Sequence, residues 1–280
     1  MISRMVLPRV AGASVRAAVM ASLVAAPQLA LGAAAPDGAQ LVTLFALMAA
    51  LFTFSEYASA APSLVEFRDA PPYNRMKVVA LFAMLLLAAL MLRGEGDRAT
   101  LSLLLRALSD RLGALLDFPG SPVRLAVLAL APEAAESALR PLRAAAAATL
   151  AVGVSTVVAF ATMMHLRGWL ERQDFNVWIN LPQFDPTAGG DVVDRLQRVA
   201  LANLALGILL PFLLPLLAGA LGIGAVTEPA TLVWMVTAWA FVPASFAMRA
   251  LALLRVAHRI AIARAAGPAE AEDGSVWQAA

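Results

Sequence analysis

Residues 78–92, VVALFAMLLLAALML, contain no charge, amide, glycine or proline. A hydrocarbon run of that length approaches the roughly 20 apolar residues needed to cross a bilayer core about 30 Å thick. Arg75 and Lys77 collar one end, and Arg93, Glu95, Asp97 and Arg98 collar the other. Charges placed so set the run between two headgroup layers. Lipid offers no hydrogen bonds to an open backbone, so a chain built around such a segment must cross as complete helices.

The rest of the chain is of the same kind. Hydrophobic residues make up 61% and charged residues 14%, where soluble proteins carry about 25% charged. Mean hydropathy is +0.78. Segments 41–60, 76–92, 142–166, 199–221 and 230–254 read as spans, and residues 1–35 supply either a further span or a signal peptide. Arg4, Arg9 and Arg16 lead into an apolar stretch ending in Ala33-x-Ala35, as a signal peptide would. However, Pro27-Gln28 interrupts that stretch and Pro36 is a poor residue to follow a cut. The expected fold is therefore all-α: a polytopic membrane helix bundle with five or six transmembrane helices plus an interfacial amphipathic helix. Residues 36–264 form one helical domain, and 265–280 a disordered tail.

The amphipathic helix is expected at 98–117, where leucines at 101, 104, 105, 108, 112, 115 and 116 share one face. Phe118-Pro119-Gly120-Ser121-Pro122 ends it. Pro132 and Pro141 are each placed to start a helix, with Glu136 and Arg140 as an i, i+4 pair between them. Five consecutive alanines, 144–148, followed by Gly153 and Ser155, suit 142–166 to close packing at the centre of the bundle. In 199–221, Pro211 and Pro215 each remove a backbone donor, which predicts a kink or break in that helix.

The polar residues gather where spans meet. Glu56 sits near the end of 41–60, either at the interface or buried against Arg68, Arg75 or Lys77. The following loop, APSLVEFRDAPPYN, brings Glu66, Arg68, Asp69, Tyr73 and Asn74 close to Arg75. Together with Glu56, these residues form the candidate interaction patch, set against the simpler reading of a self-satisfied, ion-paired turn anchored by Tyr73. A second polar stretch, 168–197, interleaves Trp169, Phe175, Trp178 and Phe184 with amides, as at headgroup level. Asp191 is placed to cap the helix after it.

Counting Arg and Lys places both termini inside. Fourteen then lie on the cytoplasmic side and seven, all within 93–143, on the other. Twenty arginines to one lysine, with abundant alanine, suggest a bacterial inner membrane.

Catalytic chemistry finds little footing. No cysteine is present, which removes disulfides, thiolate metal sites and Cys nucleophiles. Ser155 and His165, ten residues apart on one helix, are separated by about 15 Å and cannot form a dyad. No phosphate-binding loop or metal-ligand spacing occurs. No cofactor and no nucleic-acid partner is expected. The chain reads as a non-catalytic structural, accessory or assembly subunit, its partners the lipid bilayer and other membrane proteins or a second copy. A small-solute transporter using a proline-broken helix at 199–221 is the alternative.

Overall fold

The computed structural model describes residues 2–32, 36–93, 99–170, 175–222 and 228–266. It is an all-α polytopic bundle. The helices are α1 (Ile2–Leu31), α2 (Pro36–Ala58), α3 (Tyr73–Leu92), α4 (Thr100–Leu116), α5 (Pro122–Leu130), α6 (Glu136–Arg167), α7 (Val177–Asn180), α8 (Val192–Ala220) and α9 (Pro229–Ala266). Six of them, α1, α2, α3, α6, α8 and α9, are long and apolar enough to cross a membrane. Of the expected tail, 265–280, Ala265 and Ala266 belong to α9, while 267–280 and the collar residues Glu95, Asp97 and Arg98 lie outside the described residues.

α6 is the most enclosed of the six, and its composition explains why. Ala144–Ala148 are almost fully buried, and at Gly153 an added Cβ would stand 3.2 Å from Met84 of α3 and 3.4 Å from the Ala240 carbonyl of α9. Without bulky side chains α6 lets α3 and α9 pack directly on its backbone, where dispersion and shape, not water, drive association. Around it lies the larger core, with Met84, Leu85 and Ala88 of α3, Val123 and Val127 of α5, and Val233, Val236 and Trp239 of α9. α1 joins this core through Leu23 and pairs closely with α2.

At 38 residues, α9 is about 57 Å long, nearly twice a bilayer core. Its C-terminal half carries a second core. Met248, Leu253, Val256 and Ile260 pack there with Leu196 and Ala200 of α8, with Phe67 and Ala70 of the loop 59–72, and with Trp169, Leu170, Phe175 and Leu181. This cap closes one end of the bundle. Arg264 of α9 donates to Asp191 at 2.6 Å, and Asp191 also caps α8 through the amides of Val193 and Asp194. The bond from Arg264, followed by these amides, holds the exposed Asp191 carboxyl below its ordinary range.

α4 and α5 close the opposite end. α4 turns its small, polar side inward: Ser109 and Gly113 are buried, with Gly113 against the backbone of Arg143 and Ala144. Leu101, Leu104, Leu108 and Leu115 are exposed, while Leu105, Leu112 and Leu116 pack on the core. Ion pairs bind this end together: Asp117 accepts from Arg124 at 2.7 Å and lies 2.8 Å from Arg143 Nε. The expected Glu136–Arg140 pair does not form. Arg140 reaches Asp110 of α4 at 2.6 Å and Glu136 takes Arg143 at 2.9 Å, because α4 offers Arg140 a carboxylate across the helix contact. Nor does Pro141 start a helix. It lies inside α6, which begins at Glu136.

α8 runs unbroken from Val192 to Ala220, Pro211 and Pro215 included. Of the expected kink or break at Pro211 and Pro215, a break is absent, and for a local reason. Pro215 has no N–H for the carbonyl four residues earlier, which is that of Pro211, and the indole Nε1 of Trp239 donates to that carbonyl at 2.9 Å. Both prolines are buried. At Gly207 an added Cβ would lie 3.0 Å from the Ala247 nitrogen and 3.1 Å from the Pro243 carbonyl, so α8 and α9 meet backbone to backbone there.

Candidate functional site

The loop 59–72 opens where α2 ends and closes where α3 begins, so it must satisfy the last carbonyls of one helix and its own amides without a strand or helix to help. Two side chains do this reciprocally. Glu56, in the last turn of α2, accepts from the amides of Ser63 (3.1 Å), Leu64 (3.0 Å) and Val65 (3.0 Å) and from the Ser63 hydroxyl. Arg68, from the loop, donates back to the carbonyls of Glu56 (3.0 Å) and Ser59 (2.9 Å). The side chains of Glu56 and Arg68 are both buried. Glu56 thus holds loop amides rather than forming the ion pair with Arg68, Arg75 or Lys77 that its position allowed. α1 joins the clasp through a hydrogen bond from Arg9 to the Ser59 carbonyl and through Arg16, which lies 4.7 Å over the Tyr57 ring.

The far half of the loop is pinned from the 168–184 segment. Asn180 accepts through its backbone carbonyl from Phe67 N (2.7 Å) and through Oδ1 from Asp69 N (3.0 Å). Trp169 Nε1 donates to the Pro71 carbonyl at 3.2 Å, and Asn74 Nδ2 donates to the carbonyls of Glu66 and Phe67. Phe67 takes a left-handed φ of 52°, a conformation costing roughly 1–2 kcal/mol for a residue with a Cβ. It is held there by full burial among Tyr73, Trp169 and Phe175. Asp69 is half exposed and accepts from Arg68 Nε at 3.2 Å.

Glu66 points the other way, to α9. Arg249 grips it bidentately, Nε to Oε2 at 2.6 Å and NH2 to Oε1 at 2.7 Å, the geometry in which a guanidinium matches a carboxylate best. This pair lines a cleft of about 440 Å³ together with Tyr73, Asn74, Lys77 and Ser245. Lys77 stands 5.3 Å from the Tyr73 ring centroid and 6.0 Å from that of Phe241.

Of the candidate patch, Glu56, Arg68 and Asp69 therefore make the clasp, while Glu66, Tyr73 and Asn74 reach the cleft. Arg75 joins neither. It is exposed at the end of a separate apolar groove of about 570 Å³ between α3, α4 and α6. Pro211 and Pro215 lie on α8 and line neither cavity. Sequence reasoning missed Arg249, and it read Lys77 as a collar. A signal for Arg249 existed, since an arginine six residues inside an apolar stretch needs an acid to face. Asn180 carried no such signal. No known protein family, characterised protein or solved structure matches the chain.

Proposed function

We propose that the chain is a non-catalytic accessory or assembly subunit of a bacterial inner membrane, working through contact between its apolar faces and a partner. The observation that carries this reading is how the ionisable groups are used. Glu56 binds four donors of its own loop, Arg68 caps α2, and Glu66 is closed by Arg249. Groups so engaged serve the fold. A transporter built on a broken α8 and a free Glu56 has less support, since α8 is continuous.

Both termini are placed in the cytoplasm, with the cap on that side and α4 lying in the outer interface on its exposed leucines. The seven arginines of 93–143 weigh less against this than their number suggests, because Arg124, Arg140 and Arg143 are neutralised by Asp117, Asp110 and Glu136.

Glu56→Gln tests the reading. Replacing one acceptor oxygen with an amide turns a donor toward the loop N–H groups, and should cost on the order of 2–3 kcal/mol of stability, the range for bonds to a charged group. A fall in the thermal midpoint of the purified protein is expected. A variant as stable as the parent that has lost a solute flux the parent shows in liposomes would contradict the proposal.

A further inference from the structure

The cleft between the 59–72 loop, α3 and α9 carries two cations and one carboxylate. Both oxygens of Glu66 are taken by Arg249, which leaves the charge of Lys77 in surplus. The ammonium of Lys77 contacts the faces of Tyr73 and Phe241, and no hydrogen-bond acceptor reaches it among the described residues. Ring faces attract a cation but use none of its three N–H donors as an oxygen would. On the α9 wall of the same cleft, the Ser245 hydroxyl is buried and has no hydrogen-bond partner. A buried polar atom without a partner is uncommon and calls for a reason.

The position of the cleft adds a third element. Lys77 lies one turn inside the start of α3, where the polar loop meets the spans, and the exposed Leu64 and Val242 flank the cleft. Basic pockets at that depth suit a headgroup whose acyl part continues along apolar side chains.

We propose that this cleft binds one oxyanion, a phosphate or carboxylate, with the Lys77 ammonium and the Ser245 hydroxyl as its donors. Arg249, held by Glu66, fixes the α9 wall behind them. The net charge of the three ionised groups is +1, which matches a monoanion such as a phosphodiester. Two sources carry that chemistry, the headgroup of an anionic phospholipid and a free anion.

The test uses the full-length protein in nanodiscs of phosphatidylcholine, with and without phosphatidylglycerol, the retained lipid being counted by native mass spectrometry. Phosphatidylcholine discs are also titrated with inorganic phosphate by calorimetry. Saturable retention of one phosphatidylglycerol or one-to-one phosphate binding is expected. Lys77→Gln should weaken it about tenfold or more, as loss of a charge-assisted bond does. Lys77→Arg should largely retain it, and Ser245→Ala should show a smaller loss. Lipid retention without phosphate binding assigns the headgroup as the source, and the reverse assigns the free anion. Absence of both in the parent, or unchanged affinity in folded Lys77→Gln, overturns the proposal. If Lys77→Gln does not fold, the decision passes to Ser245→Ala, for which unchanged affinity overturns it.

Discussion

Glu66 and Arg249 are separated by 183 positions in the chain, yet they decide how the loop sits on α9. Their side chains keep 11% and 24% exposure, so the pair is largely but not wholly removed from water. Breaking such a pair by removing one partner strands the other charge, a loss of about 3–5 kcal/mol when burial is complete and less here. Arg249→Gln alone should therefore destabilise strongly. Glu66→Gln with Arg249→Gln should recover a large part of that loss, because neither amide is then a buried, unpaired ion. Denaturation midpoints of the two single variants and the double variant close the cycle. A double variant no more stable than Arg249→Gln would show that the pair is not what couples loop to helix. Glu56 and Arg68 differ in kind: each caps backbone, so each acts within one neighbourhood of the chain.

At the scale of elements, α8 and α9 show how two helices exchange what each lacks. Pro215 leaves the Pro211 carbonyl without an amide, and Trp239 supplies the donor. Trp239→Phe should cost about 1–3 kcal/mol by leaving that carbonyl unsatisfied in an apolar setting. The loss should shrink in a Pro215→Ala background, where the helix regains its own N–H. Equal losses in both backgrounds, measured by thermal unfolding in detergent, would show that the indole ring packs there without its hydrogen bond mattering. The same pair explains what the sequence made legible. Hydrocarbon runs and small-residue stripes announce spans, because lipid demands complete helices and close packing needs missing side chains. The continuity of α8 was not legible, since it depends on a tryptophan 28 positions away. The polar loop was readable as a cluster, because its residues are adjacent in the chain. Its division into a clasp and a cleft was not, since Asn180 and Arg249 reach it only through the fold. α4 was readable as a helix with a leucine face, but not the burial of Ser109 and Gly113 against α6, which follows from the tight alanine run opposite them.

Across the whole molecule, the two ends are built differently. The cap end is held by reciprocal capping and an aromatic cluster, and the α4–α5 end by ion pairs over an apolar core. Absence of cysteine allows the ends to be assigned by single substitutions. Ser137→Cys and Thr187→Cys, both at exposed positions, should be labelled from opposite faces of the membrane, with Thr187→Cys reached only from the cytoplasm. Labelling of both from one side would contradict the topology. The spans between the ends expose long apolar stripes, most of all α2, the least enclosed of the six. Met48 on α2 and Leu209 on α8 mark two such stripes, and Leu108 marks the exposed leucine face of α4. The most direct test of contact as this protein's work is photo-crosslinking in native membranes from a reactive residue at each of these positions in turn. A discrete protein adduct, to a second copy or to another membrane protein, is predicted from at least one face. Lipid adducts alone from all three would contradict it.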